Sequence, residues 1–348
     1  MTPLEGAGTD RPATLADIAA AAGVAVSTVS RALSHPGRVN RVTRERIEQV
    51  AAELDYVANG NARALSSGRT RAIAVLIADV ANPFYFGVLR GTQQQSRAAG
   101  YTQILVDTEE SGELEDEVLR RLRRSYDGAV LAASRLSDRR LASLAQEIPI
   151  VALNRQTAGV PSVFIDSPSG VEQALEHLVS LGHRRIAYVS GPRTSFSNAG
   201  RWRAMRRAGA RHGIDPILVG PFSSRRTAGA AAADAVLNSG VTACVAFNDL
   251  LAIGMLTHLH ERGVRVPGDL SIVGCDDIFG ADFCNPPLTT LTAPVEQAGR
   301  AAVAMLLARI EDPRRAPGST TLPTHLTVRA STGPAPAPGP APRPGSGR

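Results

Sequence analysis

The chain has 348 residues, 43% hydrophobic and 20% charged, with a formal net charge of +6 at pH 7. That length and apolar content suit a globular protein of more than one domain and exclude a fibrous or wholly disordered chain. No apolar run reaches membrane-spanning length, the first residues lack a basic-then-apolar leader pattern, and Cys244, Cys275 and Cys284 lie far apart with no CxxC, so a cytoplasmic protein without structural disulfides or a membrane partner is expected.

The net charge is a weak pointer to nucleic acid by itself. All 38 basic side chains are arginine, and residues 1–70 hold eight of them against seven acids, so placement matters more than the sum. Residues 1–12 are polar and turn-rich and read as a disordered N-terminus. Residues 13–58 read as a helical head. Leu15, Ile18, Ala19 and Ala22 form one apolar stripe at helical spacing. Thr14 followed by Asp17 suits a helix start, and Gly23 suits a left-handed end. A second helix from about Val26 to Leu33 turns Val29 and Leu33 inward. Ser27 and Arg31 share its other face, with Val26 beside them. A third helix, after Asn40 or Thr43 as cap, carries Ile47, Val50, Ala51 and Leu54 on one side. Two helices around a tight glycine turn, braced by a third, make a helix-turn-helix, whose second helix can enter a DNA major groove. Arg31 suits a bidentate contact to guanine. The plainer alternative is a small helical bundle with a solvated basic face.

Residues 59–70 read as a linker. It contains the segment Asn61 to Leu65, too short to be a stable helix alone in water; a flexible linker with one incidental leucine is the alternative. From Ala72 short apolar runs (72–78, 101–106, 128–133, 149–153, 162–165, 185–190, 216–219, 242–247, 269–275) alternate with helical stretches (84–99, 112–124, 137–146, 168–181, 197–213, 226–238, 249–262, 294–311). Such alternation predicts parallel sheets with helices on both faces, and nine strands suit two sheets better than one. The Pro/Gly/Ala-rich tail, 333–348, reads as an unstructured extension.

The head residues T-L-A-D-I-A, A-G-V and S-T-V-S-R-A-L, continued by N-G-N-A-R-A-L-S-S-G-R-T at 59–70, resemble the lactose-repressor/galactose-repressor family of bacterial regulators. The resemblance runs nearly to the end of the chain. It implies an all-α helix-turn-helix head plus an α/β core, the core (71–332) being two doubly wound parallel-sheet subdomains of periplasmic-binding-protein type. The chain would cross between them near 164, 293 and 324, and a last strand, Leu326–Arg329, would return to the second. It further implies a homodimer reading a near-palindromic double-stranded DNA operator under the control of a small effector, taken to be a sugar. Thr14, Asn40, Arg44 and Asn59 would hold phosphates while Val26, Ser27 and Arg31 read bases, and Leu65, on a hinge helix, would wedge a base step. One departure stands out: Ala25 occupies the position before the second helix where the family usually has a capping serine.

In open α/β sheets ligands sit beyond the carboxyl ends of strands. The polar residues there are Asp79, Asp107, Ser134, Asn154 with Arg155, Asp166, Asn248 with Asp249, and Asp276 with Asp277. Arg201, Phe84, Tyr85, Phe196 and Phe222 join them; planar acceptors beside aromatic faces suit a polyhydroxylated ring. Each has a structural alternative: helix capping for Asn248, a turn for Asp276, core packing for Phe84, and a place among surface arginines for Arg201. The resemblance favours Phe84, Tyr85, Asn154, Arg201, Asn248 and Asp276 as effector contacts. Phe222 is added, although its spacing to Gly229 is longer than the family's. There is no GxSxG, Walker, HExxH or GxGxxG motif and no ligand-spaced histidine cluster, so catalytic residues, metal and cofactor are expected to be none. A regulator, most simply a repressor, is the favoured reading. A sugar-binding or sugar-transforming α/β protein with a helical appendage, or an activator of the same architecture, are the alternatives.

Overall fold

The computed structural model describes residues 11–34, 36–56, 68–121 and 123–337. They fall into two units, one through Thr70 and one from Arg71.

The first unit holds α1 (Leu15–Ala22), α2 (Val26–Ser34), a 3-10 turn at Pro36–Arg38 and α3 (Arg41–Glu53). Thr14 caps α1 in a reciprocal box: its hydroxyl accepts from Asp17 N, and the Asp17 carboxylate accepts from Thr14 N at 2.8 Å. Gly23 ends α1 at φ 62°, a left-handed conformation that lets α2 leave at 107° to α1, within the range of a helix-turn-helix. Ile18, Ala19, Ala22, Val29, Ala32, Ile47 and Ala51 form the core. Two expected core residues are on the surface instead: Leu33 is 36% and Leu54 38% exposed. The inward face of α2 is Val29 with Ala32, whose small side chain permits close packing, and Leu33 falls past its edge. Asn59, Leu65 and the expected hinge helix lie outside the described residues.

The second unit contains two six-stranded sheets. In the first, β1 (Ala72–Ile77), β2 (Thr102–Asp107), β3 (Gly128–Ala132), β4 (Ile150–Leu153), β5 (Ser162–Ile165) and β11 (Ser319–Leu322) lie in the order β11-β5-β4-β3-β1-β2, all parallel. In the second, β6 (Ile186–Val189), β7 (Ile217–Val219), β8 (Ala243–Ala246), β9 (Ser271–Cys275), β10 (Thr289–Thr292) and β12 (His325–Thr327) lie in the order β12-β10-β9-β8-β6-β7. Only β12 runs antiparallel there, pairing Leu326 with Leu291. The chain passes to the second sheet after β5, returns after β10 and crosses again after β11.

Helices cover both faces of the central strands of each sheet, which explains the unbroken apolar runs of β1, β3, β4, β6 and β8. On the first sheet, Val75, Val130 and Val151 face α4 (Phe84–Ala98) and α11 (Val295–Glu311), while Leu76 and Leu131 face α5 (Gly112–Arg121) and α6 (Asp138–Glu147). On the second, α7 (Ser167–Ser180) and α8 (Phe196–Arg211) cover one face, and α9 (Gly229–Asn238) and α10 (Asp249–Glu261) the other. α4 and α11 cross closely at two glycines. A Cβ on Gly91 would lie 2.0 Å from the Glu296 carbonyl oxygen, and one on Gly299 2.5 Å from that of Val88.

Three expectations need correcting. β10 and β11 were absent from the strand pattern, because one is mostly threonine and the other a four-residue edge strand with one buried residue. The last strand begins and ends earlier than Leu326–Arg329. The tail is not free from 333: the Gly333 carbonyl accepts from Ser271 Oγ, and Ala335 N donates to the Leu181 carbonyl at 2.9 Å.

Candidate functional site

Two surfaces gather the candidate residues. On the head, α2 leaves Val26 47% exposed, with Ser27 and Arg31 exposed beside it. Asn40 caps α3, its Oδ1 accepting from Val42 N at 2.9 Å. Arg44 sits in the same first turns, with Nε 3.4 Å from Glu48. The Ala25 carbonyl accepts from Thr28 N at 2.8 Å and Val29 N at 3.2 Å, so Ala25 is the N-cap of α2 by backbone alone; its methyl group accepts nothing. Thr14, already committed to its capping box, is exposed. These hydrogen bonds also hold the Asp17 carboxyl below its ordinary pKa, the Thr14 hydroxyl contributing most.

The second surface lies between the two lobes of the core, at the carboxyl ends of their strands. A cavity of about 40 Å³ is lined from the first lobe by Asn82, Phe84, Tyr85, Glu110, Ala133, Arg135 and Asn154. From the second lobe come Ser195, Ser197, Arg201, Ser224, Phe247, Asn248 and Asp276. Six of the seven expected effector residues are therefore brought together. Phe222 is not among them: it packs against the second-lobe core, its N–H donating to the Ser190 carbonyl at 2.9 Å. Ser224, two residues further on, lines the cavity instead.

Arg201 organises the second-lobe wall. It is 5% exposed and donates through Nε to Ser167 Oγ (3.1 Å), through Nη1 to the Phe247 carbonyl, and through Nη2 to Asp276 Oδ1 (3.2 Å). Its guanidinium lies over the Phe247 ring at 5.3 Å. Burial pushes the Asp276 pKa up to about 6 even though Arg201 opposes the shift. Its neighbour Asp249 accepts from Thr290 Oγ1 at 2.5 Å and Ile278 N at 3.0 Å. Burial, then the Asp276 charge, pushes Asp249 up to about 7. Asn248 caps α10 through Oδ1 and donates from Nδ2 to the Ser224 carbonyl at 2.8 Å, so its structural role and its place on the cavity coexist.

On the first-lobe wall Arg135 donates to Glu110 Oε1 at 2.9 Å and to the Ala133 carbonyl at 3.0 Å. Its Nε and the Asn154 Oδ1 are buried without hydrogen-bond partners among the described residues. Burial also pushes the Tyr85 phenol well above its ordinary range. Six of the eight described non-glycine residues with positive φ stand at these strand ends: Glu109, Glu110, Ala133, Asn154, Asp276 and Asp277. Such conformations cost free energy and persist where surrounding structure enforces them, as at binding sites. Glu110 and Arg135 escaped the sequence reading because each lies three residues beyond its strand.

Comparison with known proteins covers both units. Residues 14–59 match the family model of bacterial regulatory proteins, lacI family, and residues 175–332 match the periplasmic binding protein-like domain. The chain is 30% identical over 330 residues to the HTH-type transcriptional repressor CytR of Escherichia coli (strain K12), spanning 92% of this chain and 96% of that one. Among solved structures it is similar to the lac repressor dimer bound to operator and the anti-inducer ONPF (TM-score 0.84, 27% identity, 93% of this chain and 100% of that one). It is also similar to the transcriptional regulator CelR–cellobiose complex (TM-score 0.68, 31% identity, 92% and 100%).

Proposed function

Because the chain belongs to the lacI family of bacterial regulatory proteins, we propose that it is an operator-binding repressor, working as a homodimer in the cytoplasm, whose DNA affinity is set by a small sugar. It is a DNA-binding transcriptional regulator; the curated relative named above is a repressor, not an enzyme. The observation that carries the reading is the 107° helix pair with Val26, Ser27 and Arg31 exposed on its second helix. Those three side chains read bases, and Thr14, Asn40 and Arg44 hold phosphates.

The effector enters between the lobes, meeting Phe84, Tyr85 and Asn154 on one side and Arg201, Asn248 and Asp276 on the other. A space of about 40 Å³ holds water but no sugar ring, so entry requires the lobes to part. That motion is what an effector can bias, and coupling of this kind is typically about 1–3 kcal/mol. A sugar is favoured by the wall chemistry and by the cellobiose held by one structural relative. Dimerisation is supported by exposed aromatic rings: Phe86 (54%), Phe279 (77%) and Phe283 (65%). Phe86 and Phe279 line a groove of about 650 Å³ spanning both lobes, and the lac repressor relative is a dimer.

Enrichment from a randomised duplex pool, repeated with and without a sugar panel, tests this reading. The expected product is a near-palindrome whose retention changes with one sugar. A pool that shows no sequence preference under any condition overturns it.

A further inference from the structure

Both guanidiniums that line the cavity, Arg201 and Arg135, already have their own carboxylates, and so does Arg225 beside it. Arg201 holds Asp276, Arg135 holds Glu110 at 2.9 Å, and at the mouth Arg225 Nε donates to Asp79 Oδ2 at 3.2 Å. We propose that this cleft takes an uncharged polyhydroxylated effector and rejects its phosphorylated counterpart, with Glu110 and Arg135 setting that preference. The proposal rests on the effector cleft described above and narrows its ligand.

A phosphate group brings nearly two negative charges and asks for unpaired guanidinium donors. Here it would lie beside Glu110 or Asp276 in a water-poor space, or would have to displace one of them, and like charges repel most strongly there. A hydroxyl meets the opposite situation. Glu110 Oε1 already accepts a hydroxyl across the cleft, from Ser224 Oγ at 3.0 Å, and Asn154 Oδ1 has an unused acceptor.

The pair is built in. Glu109 and Glu110 are held at φ 50° and 58°, and Glu110 N donates to the Ala78 carbonyl at 2.7 Å. The Arg135 backbone is fixed from behind by buried Glu115, whose Oε2 accepts from Arg135 N at 2.9 Å. Glu110 therefore neutralises Arg135 by fixed geometry, at a position that neither lobe's core packing requires.

Inorganic phosphate tests the inference on the full chain without knowledge of the effector. Glu110→Gln keeps the side-chain shape and leaves the Arg135 charge uncompensated. Phosphate should raise the melting temperature of that variant by several degrees more than that of the wild type or of Glu110→Gln/Arg135→Gln. Phosphate held by other arginines acts alike on all three and cancels in the difference. Equal responses overturn the proposal, and so does a wild-type response that Arg135→Gln alone abolishes. Calorimetry of the wild type with ribose against ribose 5-phosphate, and glucose against glucose 6-phosphate, gives a second readout; tighter binding of either ester overturns it. If no free sugar binds yet the phosphate difference appears, the sugar reading fails while the charge preference stands.

Discussion

Arg201→Met probes the electrostatics of the cleft. Methionine keeps the apolar stem and removes all three donations, to Ser167, Phe247 and Asp276. At about pH 5 Asp276 is protonated in both folded proteins, since its pKa is already up to about 6 in the wild type. The variant then loses only hydrogen bonds, about 2–3 kcal/mol. Above about pH 6 the proteins diverge: the wild-type carboxyl ionises beside Arg201, while the variant's, buried without a counter-charge, keeps its proton. A folded pKa raised above the unfolded value of 3.8 contributes stability that is complete below that value and lost as pH rises through the folded one. The Asp276 contribution therefore goes on falling in the variant after it has levelled in the wild type, by about 1.4 kcal/mol per pH unit. The gap should reach about 5 kcal/mol near pH 8. Urea unfolding followed by Trp202, the single tryptophan, which stacks on Tyr188 at 6.0 Å, measures it. A gap of the same size at both ends of the range refutes the account of Asp276.

Arg31→Ala should weaken binding to the selected operator by about 1–3 kcal/mol and relax preference at one base pair; an unchanged profile in binding-site selection removes Arg31 from base reading. Ala25→Ser should supply the missing cap on α2, raising head stability by about 1 kcal/mol and steepening the salt dependence of operator binding, measured by thermal unfolding and by titration at several ionic strengths. Gly91→Ala should destabilise the first lobe by about 1–3 kcal/mol through overpacking, because the obstructing atom is the Glu296 backbone oxygen; chemical denaturation with no change would mean α11 yields freely.

What the sequence made legible follows physical strength of signal. The α1 capping box, the Gly23 turn and nine apolar strands stand in the residues because each is local. β11 was invisible because its pairing partner, β5, lies more than 150 residues away and three of its four residues are exposed. The cleft was half legible. Strand-end polar residues such as Asn154 and Asp276 are found by position alone, whereas Ser224 is reached only through loop length. The Glu110–Arg135 pair is joined by a contact between separate loops, which no periodicity encodes. Leu33 was misplaced because helical spacing alone could not choose between it and Ala32 for the face beside Val29.

The repeated traffic between the sheets also fixes an order of birth. Synthesis proceeds from the amino end, and units generally fold as they emerge. The three-helix head is complete after Glu53. The first lobe, however, waits for α11 and for β11, which ends at Leu322, and the second waits for β12 and the Gly333 anchor. A ribosome that stalls after Glu53 but before Gly333 thus releases a DNA reader whose governor is unfinished. Nonsense mutations upstream of the Gly333 codon should consequently behave as losses of the sensor rather than as harmless trims.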